Sequence, residues 1–523
     1  MAASYEVHPY SIDTLRKLLA EKARAEGSVI SSKNHCFYFE SYFKELAAKT
    51  IVVENDYVDR DFLEDFAAYY VRCHHPYDRR CTRLHFFSEA FSAMEFESLL
   101  KAGSANPLLK CIKQAYLGFV VVKPLPQTVV GRTCLSTYGD AGGRRCYPIT
   151  RSYHANLFGI ELSVNSLAFQ EQDSVVAACA TSALWSAFHG TGMLFQHAVL
   201  SPVEITRAAS TNFANRSRNL PNRGLTPEQM ALAVRSVGLE PFVINASDDF
   251  VFRSTLYAYL SGHIPALVLG SLYDTACDPV RHLGLHAVAA TGFSCDTEKA
   301  GDAGPAGFLS RACCMDHIYA HDDQVGPFAR MVFDGITVDA THEQRKEAWS
   351  LSTSWRAATG DTATVRFVPE MLLVPLYHKI RIPLDVVQAA IISCDRFFEL
   401  LRIERLVPSL SERLRWDVRL TTVGDYKTDV FQDSSLAPNL RHEVLGKAMP
   451  RFLWRATARC GERSVMDLLF DATDIEQGGC FVQAVKIDAQ FAQILQGVLA
   501  IPGLDSLLTS LPHPARVALN QFK

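Results

Sequence analysis

The sequence predicts an α+β fold for its central part, flanked by N-terminal and C-terminal mixed α/β regions. Three observations carry this expectation. The chain has 523 residues, and at roughly 150 residues per domain that is about two to four units rather than one core. Between residues 161 and 383, helical patterns come first and apolar, strand-length runs follow. That order suits an α+β domain better than an alternating α/β one. The composition, 48% hydrophobic and 21% charged, can bury large cores and excludes wholesale disorder. The expected division is an N-terminal region over 1–160, a central domain over 161–383 and a C-terminal α+β region over 384–523.

The first region opens with a polar helix. Residues 58–72 then carry Phe62, Phe66, Tyr69 and Tyr70 at helical spacing. YLGFVVVKPLP, residues 116–126, reads as a buried strand stopped by Pro124 and Pro126, which cannot donate to a ladder. GDAGGRR, residues 139–145, is a loop by its glycines. In the central region a short helix begins near Cys179 and ends by Gly190. A second spans LTPEQMALAVRSVGL, with Thr226 as N-cap, Pro227 at the first helical position and Gly238 near the C-cap. Strand-like runs follow at 264–269, 286–290, 318–320 and 371–376, and KAGDAGPAG at 299–307 reads as an inserted surface loop. The third region has a helix from Leu384 (LDVVQAAIISCDRFFELLRIERL) and a hairpin of RFLWRATARC and RSVMDLLFDA around Gly461 and Glu462.

Charge and cysteine usage narrow the function classes. Lys and Arg number 52 against 56 Asp and Glu, a net of -4, so no broad positive field calls for nucleic acid or an acidic membrane. The N-terminus lacks an apolar stretch after a basic start, and no run approaches a membrane span. A cytoplasmic chain with no membrane partner is expected. The 14 cysteines are scattered without repeated spacing, unlike a secreted disulfide scaffold. Reduced thiols follow, most of them small buried hydrophobes.

One cysteine stands apart. FQEQDSVVAACATSALWSAFHG, residues 169–190, puts Cys179 at a helix start among Ala177, Ala178, Ala180, Thr181 and Ser182. The positive end of the helix dipole stabilises a thiolate, and small neighbours let another chain approach the sulfur. Gln172, seven residues earlier, can aim its amide N–H at the same place and form an oxyanion hole with the Cys179 backbone N–H. A thiolate nucleophile needs a base and an orienting group. LGLHAVAATGF places His286 at the start of an apolar strand, with His282 left in the preceding loop, and MDHIYAHDDQVGPF ends a second strand at Asp322 and Asp323. On neighbouring antiparallel strands, a carboxylate at the end of the second holds the imidazole of the first.

These pieces resemble the papain-like cysteine peptidases, most closely the bacterial branch that processes bacteriocin leaders. In order they are a Gln before a Cys at a helix start, G-L-T-x-x-x-M-x-x-A-x-x-x-G-L (224–239), G-x-x-P-A-L-V-L (262–269), H-A-V-x-x-x-G-F (286–293) and a strand ending in Asp. The resemblance covers roughly 220 residues. It implies a papain-like domain with Cys179 as nucleophile, His286 as base, Asp322 as orienter and Gln172 as oxyanion donor. The family's Gln usually lies six residues before the Cys. Gln172 lies seven before and Gln170 nine, so both stay open as donor, and Asp323 and Asp316 stay open beside Asp322.

Other chemistry finds little support. CHHPYDRRCTRLH, residues 73–85, has no familiar zinc-ligand spacing and reads as a helix end and a solvated loop, with Arg72, Arg79, Arg80 and Arg83 as a solvated basic face. Cys313 and Cys314 on a strand would point to opposite faces, against a redox pair. The P-loop, H-E-x-x-H, G-x-S-x-G and G-x-G-x-x-G motifs are absent. The expectation is a cysteine peptidase that needs no cofactor and no metal and acts on a peptide or protein. Its flanking regions recognise that substrate or a protein partner, or cover the cleft. Competing expectations are a papain-like acyltransferase or transglutaminase, and a non-catalytic peptide-binding protein.

Overall fold

The structure, a computed structural model, describes residues 4–173, 175–210, 220, 224–296, 304–340, 345–356, 364–475 and 479–523. With 37% helix and 31% strand it is a mixed α+β protein. No helix among the described residues is long and apolar enough to cross a membrane.

The chain divides into two compact units. One comprises Met1–Ser247, Pro265–Phe293 and His317–Pro375; the other comprises Asp248–Ile264, Ser294–Asp316 and Leu376–Lys523. The expected boundary near residue 160 thus falls inside one unit. The central region, in turn, lends residues 248–264, 294–316 and 376–383 to the other.

The first unit opens with a strand, Tyr5–Pro9, ahead of the expected polar helix, Ile12–Ala23. In that helix Leu15, Leu18, Leu19 and Ala23 repeat at helical spacing and are buried, while Ser11 Oγ accepts from the Thr14 N–H at 3.0 Å. A five-stranded antiparallel sheet follows, in the order Tyr5–Pro9, Thr50–Tyr57, Cys81–Phe87, Tyr116–Val122 and Val130–Leu135. Cys81–Phe87 is its central strand and every residue is buried; the reading of 73–85 as a helix end and a solvated loop holds for 73–80, after the helical turn Tyr70–Arg72, and is corrected for 81–85. Both faces of the strand are covered, so charged side chains there are paired. Arg83 binds Glu54 at 2.7 Å and lies over the Tyr57 ring, and His85 sits between Tyr116 and Glu54. Arg83 is therefore no part of a solvated face. A hairpin, Arg151–Leu157 with Ile160–Ser166, turns at Phe158 and Gly159, both with positive φ. That is the two-residue turn that matches strand twist.

The helix Cys179–Phe195 runs past the expected stop at Gly190. It is buried from Ala180 to Thr191, so a glycine there is a packing site, not a terminator. A Cβ on Gly190 would come within 2.8 Å of Ile149. Ala183, Leu184, Trp185 and Phe188 share one core with Phe62, Phe119 and Leu162 on one side and with Met230, Leu267, Ala289 and Leu373 on the other. The N-terminal 160 residues and the later strands are thereby built around the same helix.

Those later strands form a closed antiparallel sheet. Its order is Ala266–Asp274, Arg281–Cys295, Met315–Asp322, Gly326–Val332, Leu351–Ser352 and Val365–Tyr377, with Leu239–Asn245 added beyond and Val365–Tyr377 pairing back onto Ala266–Asp274. Gly270 permits that closure, since a Cβ there would sit 2.2 Å from the Val368 carbonyl oxygen. The strands are longer than the apolar runs predicted, and His282 lies on one of them rather than in a loop. The Thr226–Gln229 capping box and Pro227 begin the helix Pro227–Ser236 as predicted, and Gly238 follows it with φ +82°.

In the second unit the sheet order is Leu309–Ser310, Arg415–Thr422, Phe452–Cys460, Arg463–Asp471 and Phe481–Val485. The predicted helix and hairpin are present as Leu384–Ile403 and as the paired strands around Gly461. Cys313 and Cys314 lie in a 3-10 turn, Arg311–Cys314, not on a strand. Of the predicted 299–307 loop, residues 299–303 lie outside the described residues.

Candidate active site

Cys179 is the first residue of its helix, and Asp173 shapes the chain leading into it. One Asp173 oxygen accepts from the Val175 N–H at 2.7 Å, its own N–H donates to the Ala177 carbonyl at 2.8 Å, and the Tyr70 hydroxyl donates to the carboxylate. No side chain caps the helix. The positive end of the amide dipoles of its first turn therefore faces the half-buried thiol.

His286 lies opposite Gly270 in the strand register and is buried. Its Nε2–H donates to Asp322 Oδ1 at 3.0 Å, and the imidazole hydrogen-bonds Cys179. Nε2 is spent on the carboxylate, which leaves Nδ1 for the thiol. Burial pushes the imidazolium pKa down, but Asp322, Cys179 and Asp323 outweigh it and hold it well above the usual histidine value. Burial likewise raises Asp322, and the attraction and hydrogen bond of His286 overturn that, helped by Trp355 and the Gln324 N–H, so this carboxyl ends low. The His286 imidazolium thus lies between the Cys179 sulfur and an ionised Asp322 carboxylate.

Three contacts around the triad had no counterpart in the sequence reading. The Trp355 indole N–H donates to Asp322 Oδ2 at 2.7 Å, and its ring meets the His286 ring edge-on at 5.2 Å. His35 Nε2 bonds the Asp323 carbonyl at 2.9 Å. Lys33 pairs with Glu171, which lies between Gln170 and Gln172 and also accepts from the Val130 N–H at 2.9 Å. Thus the Lys33–Glu45 stretch braces both the loop that carries the glutamines and the turn that carries the acids. A Trp in STSWRA and a His in KNHC have no local pattern that could have marked them.

Among the open alternatives, Gln172 lines the cleft beside Cys179, whereas Gln170 is buried and does not line it. Asp316 accepts from Ser294 and has no part in the His286 contacts. Asp323 is close: its Oδ1 lies 3.9 Å from His286 Nε2, has no hydrogen-bond donor among the described residues and is buried. Burial, with Asp322 alongside and against the pull of His286, pushes its pKa up to about 7.

His286, Asp322 and Asp323 offer ligand atoms within 4.8 Å of one another, so a cation is the other use for this cluster. The two Asp322 oxygens already accept from His286, Trp355 and Gln324, and a metal would have to break these bonds. The donor set fits a hydrogen-bonded triad better than a metal centre.

The site opens on a cleft of about 710 Å³. Leu225, Met230, Leu269, Leu285 and Met371 give it apolar walls, and Glu370 and Asp173 contribute the acidic groups. No protein-family model matches the chain, and no curated protein matches it.

Proposed function

We propose that the protein is a cysteine peptidase of papain-like fold, acting on a peptide or isopeptide bond. The observation that carries this reading is the hydrogen-bonded chain Cys179–His286–Asp322, which starts at an uncapped helix N-terminus and opens on an apolar cleft. The Cys179 thiolate attacks the carbonyl carbon. Gln172 and the Cys179 N–H donate to the oxyanion that forms, and the His286 imidazolium gives its proton to the departing amine. Water, deprotonated by the same imidazole, then releases the acyl group from the sulfur. Asp322, gripped by Trp355, keeps Nε2 engaged so that Nδ1 faces the sulfur throughout.

The apolar walls suit an extended peptide with large apolar side chains near the scissile bond. All fourteen cysteines are free thiols, which supports a reducing, cytoplasmic setting. The second unit is assigned to recognition of the protein substrate or a partner, on its size and separate core.

The test is labelling with a thiol-directed electrophile, followed by mapping of new N-termini in a lysate. Preferential labelling of Cys179, with products that vanish in Cys179→Ala, is expected. Equal labelling of Cys179 and the exposed Cys111 and Cys146 would sink the activated-thiolate reading. Amine-capped products in place of free carboxylates would replace hydrolysis by acyl transfer.

A further inference from the structure

The segment that carries Phe62, Phe66, Tyr69 and Tyr70 folds as a helix, Arg60–Ala68, and a 3-10 turn, Tyr70–Arg72. Three of its polar side chains point inward. Asp61 accepts the indole N–H of Trp185, on the helix that Cys179 begins, at 3.1 Å. Asp65 accepts the Val203 N–H, in the first turn of the helix Pro202–Ser210, at 3.0 Å. The buried Tyr70 hydroxyl lies 2.7 Å from Asp173 Oδ1 and 2.6 Å from Oδ2. Asp173 directly follows Gln172. Its Oδ1 also accepts from the Val175 and Val176 N–H groups at 2.7 and 3.3 Å, whereas Oδ2 has Tyr70 as its one donor among the described residues. On the other side of Gln172, the Glu171 N–H donates to the Val130 carbonyl at 3.0 Å, and the Glu171 carboxylate accepts the Val130 N–H at 2.9 Å. Gln172 thus sits between two anchored neighbours. Its own side chain lines the cleft and makes no hydrogen bond among the described residues, so the backbone on either side sets its aim.

We infer that Tyr70 is a positioning residue: through Asp173, its hydroxyl holds the Gln172 amide aimed at the oxyanion. This rests on the peptidase reading. A hydroxyl that donates to a carboxylate makes a charge-assisted bond, roughly twice as strong as a neutral one. Without that hydroxyl, Oδ2 is left buried with no donor. The carboxylate can recover one only by turning, which pulls on the Val175 and Val176 N–H groups and on Gln172 beside them. An oxyanion hole works because its donors are aimed before the charge develops. A small turn of Gln172 is therefore felt when the tetrahedral centre forms. The bonds that join Cys179, His286 and Asp322 share no atom with this brace. Burial, reinforced by the Asp173 charge, holds the Tyr70 phenol far above its ordinary pKa, so it stays a donor at any working pH.

Two reagents on the full chain separate the brace from the thiol. With acetyl-leucyl-leucyl-norleucinal, the Cys179 sulfur bonds to the aldehyde carbon. The carbonyl π pair moves to the oxygen, which stands where the oxyanion forms and takes the imidazolium proton. Iodoacetamide alkylates the same sulfur by expelling iodide and builds no oxyanion. Gln172→Ala is expected to weaken aldehyde binding by on the order of 100-fold, the lower figure for a lost oxyanion donor. Tyr70→Phe should weaken it by about tenfold, in line with one buried oxygen left unsatisfied. Both variants should be alkylated at the wild-type rate. Adding Tyr70→Phe to Gln172→Ala should cost nothing more, since the brace acts through Gln172. Asp173→Asn keeps an oxygen for Tyr70 and the Val175 N–H and should stay near wild type, whereas Asp173→Ala should lose at least as much as Tyr70→Phe. That pair carries the test if Tyr70→Phe misfolds. Unchanged aldehyde binding in Tyr70→Phe, or an undiminished further loss in the Gln172→Ala background, overturns the inference and leaves the peptidase reading standing. A wild type that neither binds the aldehyde nor is alkylated preferentially at Cys179 overturns both.

Discussion

Two buried aspartates, one in each unit, have nearly the same surroundings. Asp395 accepts the Trp416 indole N–H at 2.9 Å on one oxygen and the Arg413 guanidinium at 2.6 Å on the other. Asp322 accepts the Trp355 indole N–H on one oxygen and the His286 imidazole N–H on the other. Burial prevails at Asp395 and its pKa is raised; at Asp322 burial is outweighed and the pKa is lowered. The decisive difference is the cation. A guanidinium holds its proton permanently and Arg413 ends the chain of contacts with a structural brace. An imidazole can pass its proton on, and behind it stand a thiol and a second carboxylate with an unpaired oxygen. Burial and pairing alone do not mark a functional acid. A transferable proton with somewhere to go does.

The comparison breaks first at the cation. His286→Ala removes the base and the imidazolium, and peptide cleavage is expected to fall by on the order of 10⁴-fold in kcat/KM. A loss below tenfold would make the Asp322 cluster as structural as the Asp395 one. The mirror experiment, Asp395→Ala, leaves Arg413 without its carboxylate in a mostly buried position. It is expected to cost about 3 kcal/mol, the low end of the range for a broken buried pair, with kcat/KM unchanged. Urea melts and initial rates on the same sample check both halves.

A finer test uses the indole. An Asn at 322 can still accept from His286, but its amide then faces the Trp355 N–H, donor against donor. Leaving such a group unsatisfied costs about 1–3 kcal/mol. Asp322→Asn is therefore expected to lose about 100-fold in kcat/KM, and adding Trp355→Phe, which removes the competing donor, should restore about tenfold. A double variant no better than the single one would show that Trp355 does not set the choice of Asp.

Much of this cluster could be read locally, and the rest could not. Cys179, His286 and Asp322 each lie in a stretch with its own local pattern: a run of small residues at a helix start, the onset of an apolar run within the strand Arg281–Cys295, and an Asp pair before Gly326. Thr226, Pro227 and Gln229 likewise spell a helix start. Trp355, Lys33 and His35 act across more than a hundred residues of chain or from within irregular segments, so no periodicity points to them. Gly190 was misread because turn chemistry applies only where a glycine is exposed, and this one faces Ile149 inside a core. Residues 81–85 look polar, yet Arg83 and His85 are paired inside a central strand, where partners decide burial and composition does not. The second unit takes in the helix Asp249–Ser261 and the turn Arg311–Cys314, an exchange that only tertiary packing reveals.

The smallest expected effect concerns the carboxylate that has no counterpart beside Asp395. Asp323 has its folded pKa raised to about 7, far above the roughly 3.9 of an unfolded chain. The folded state therefore holds a proton that the unfolded state has released over the window from about pH 4 to 7. Stability from this group is complete below pH 4 and declines as pH rises through 7. Asp323→Asn, neutral at every pH, removes that slope. The difference in Tm between wild type and Asp323→Asn should shift against the wild type from pH 5 to 8 and level off above. The same proton bears on catalysis, since its loss adds a negative charge 3.9 Å from His286 Nε2. That charge strengthens the imidazolium's hold on its own proton and slows its transfer to the leaving amine. The wild type should thus lose a few-fold in kcat above pH 7 that Asp323→Asn does not lose. Parallel pH profiles for the two proteins would mean that Asp323 stays ionised throughout, and that His286 is held by two charges rather than by one charge and one acid.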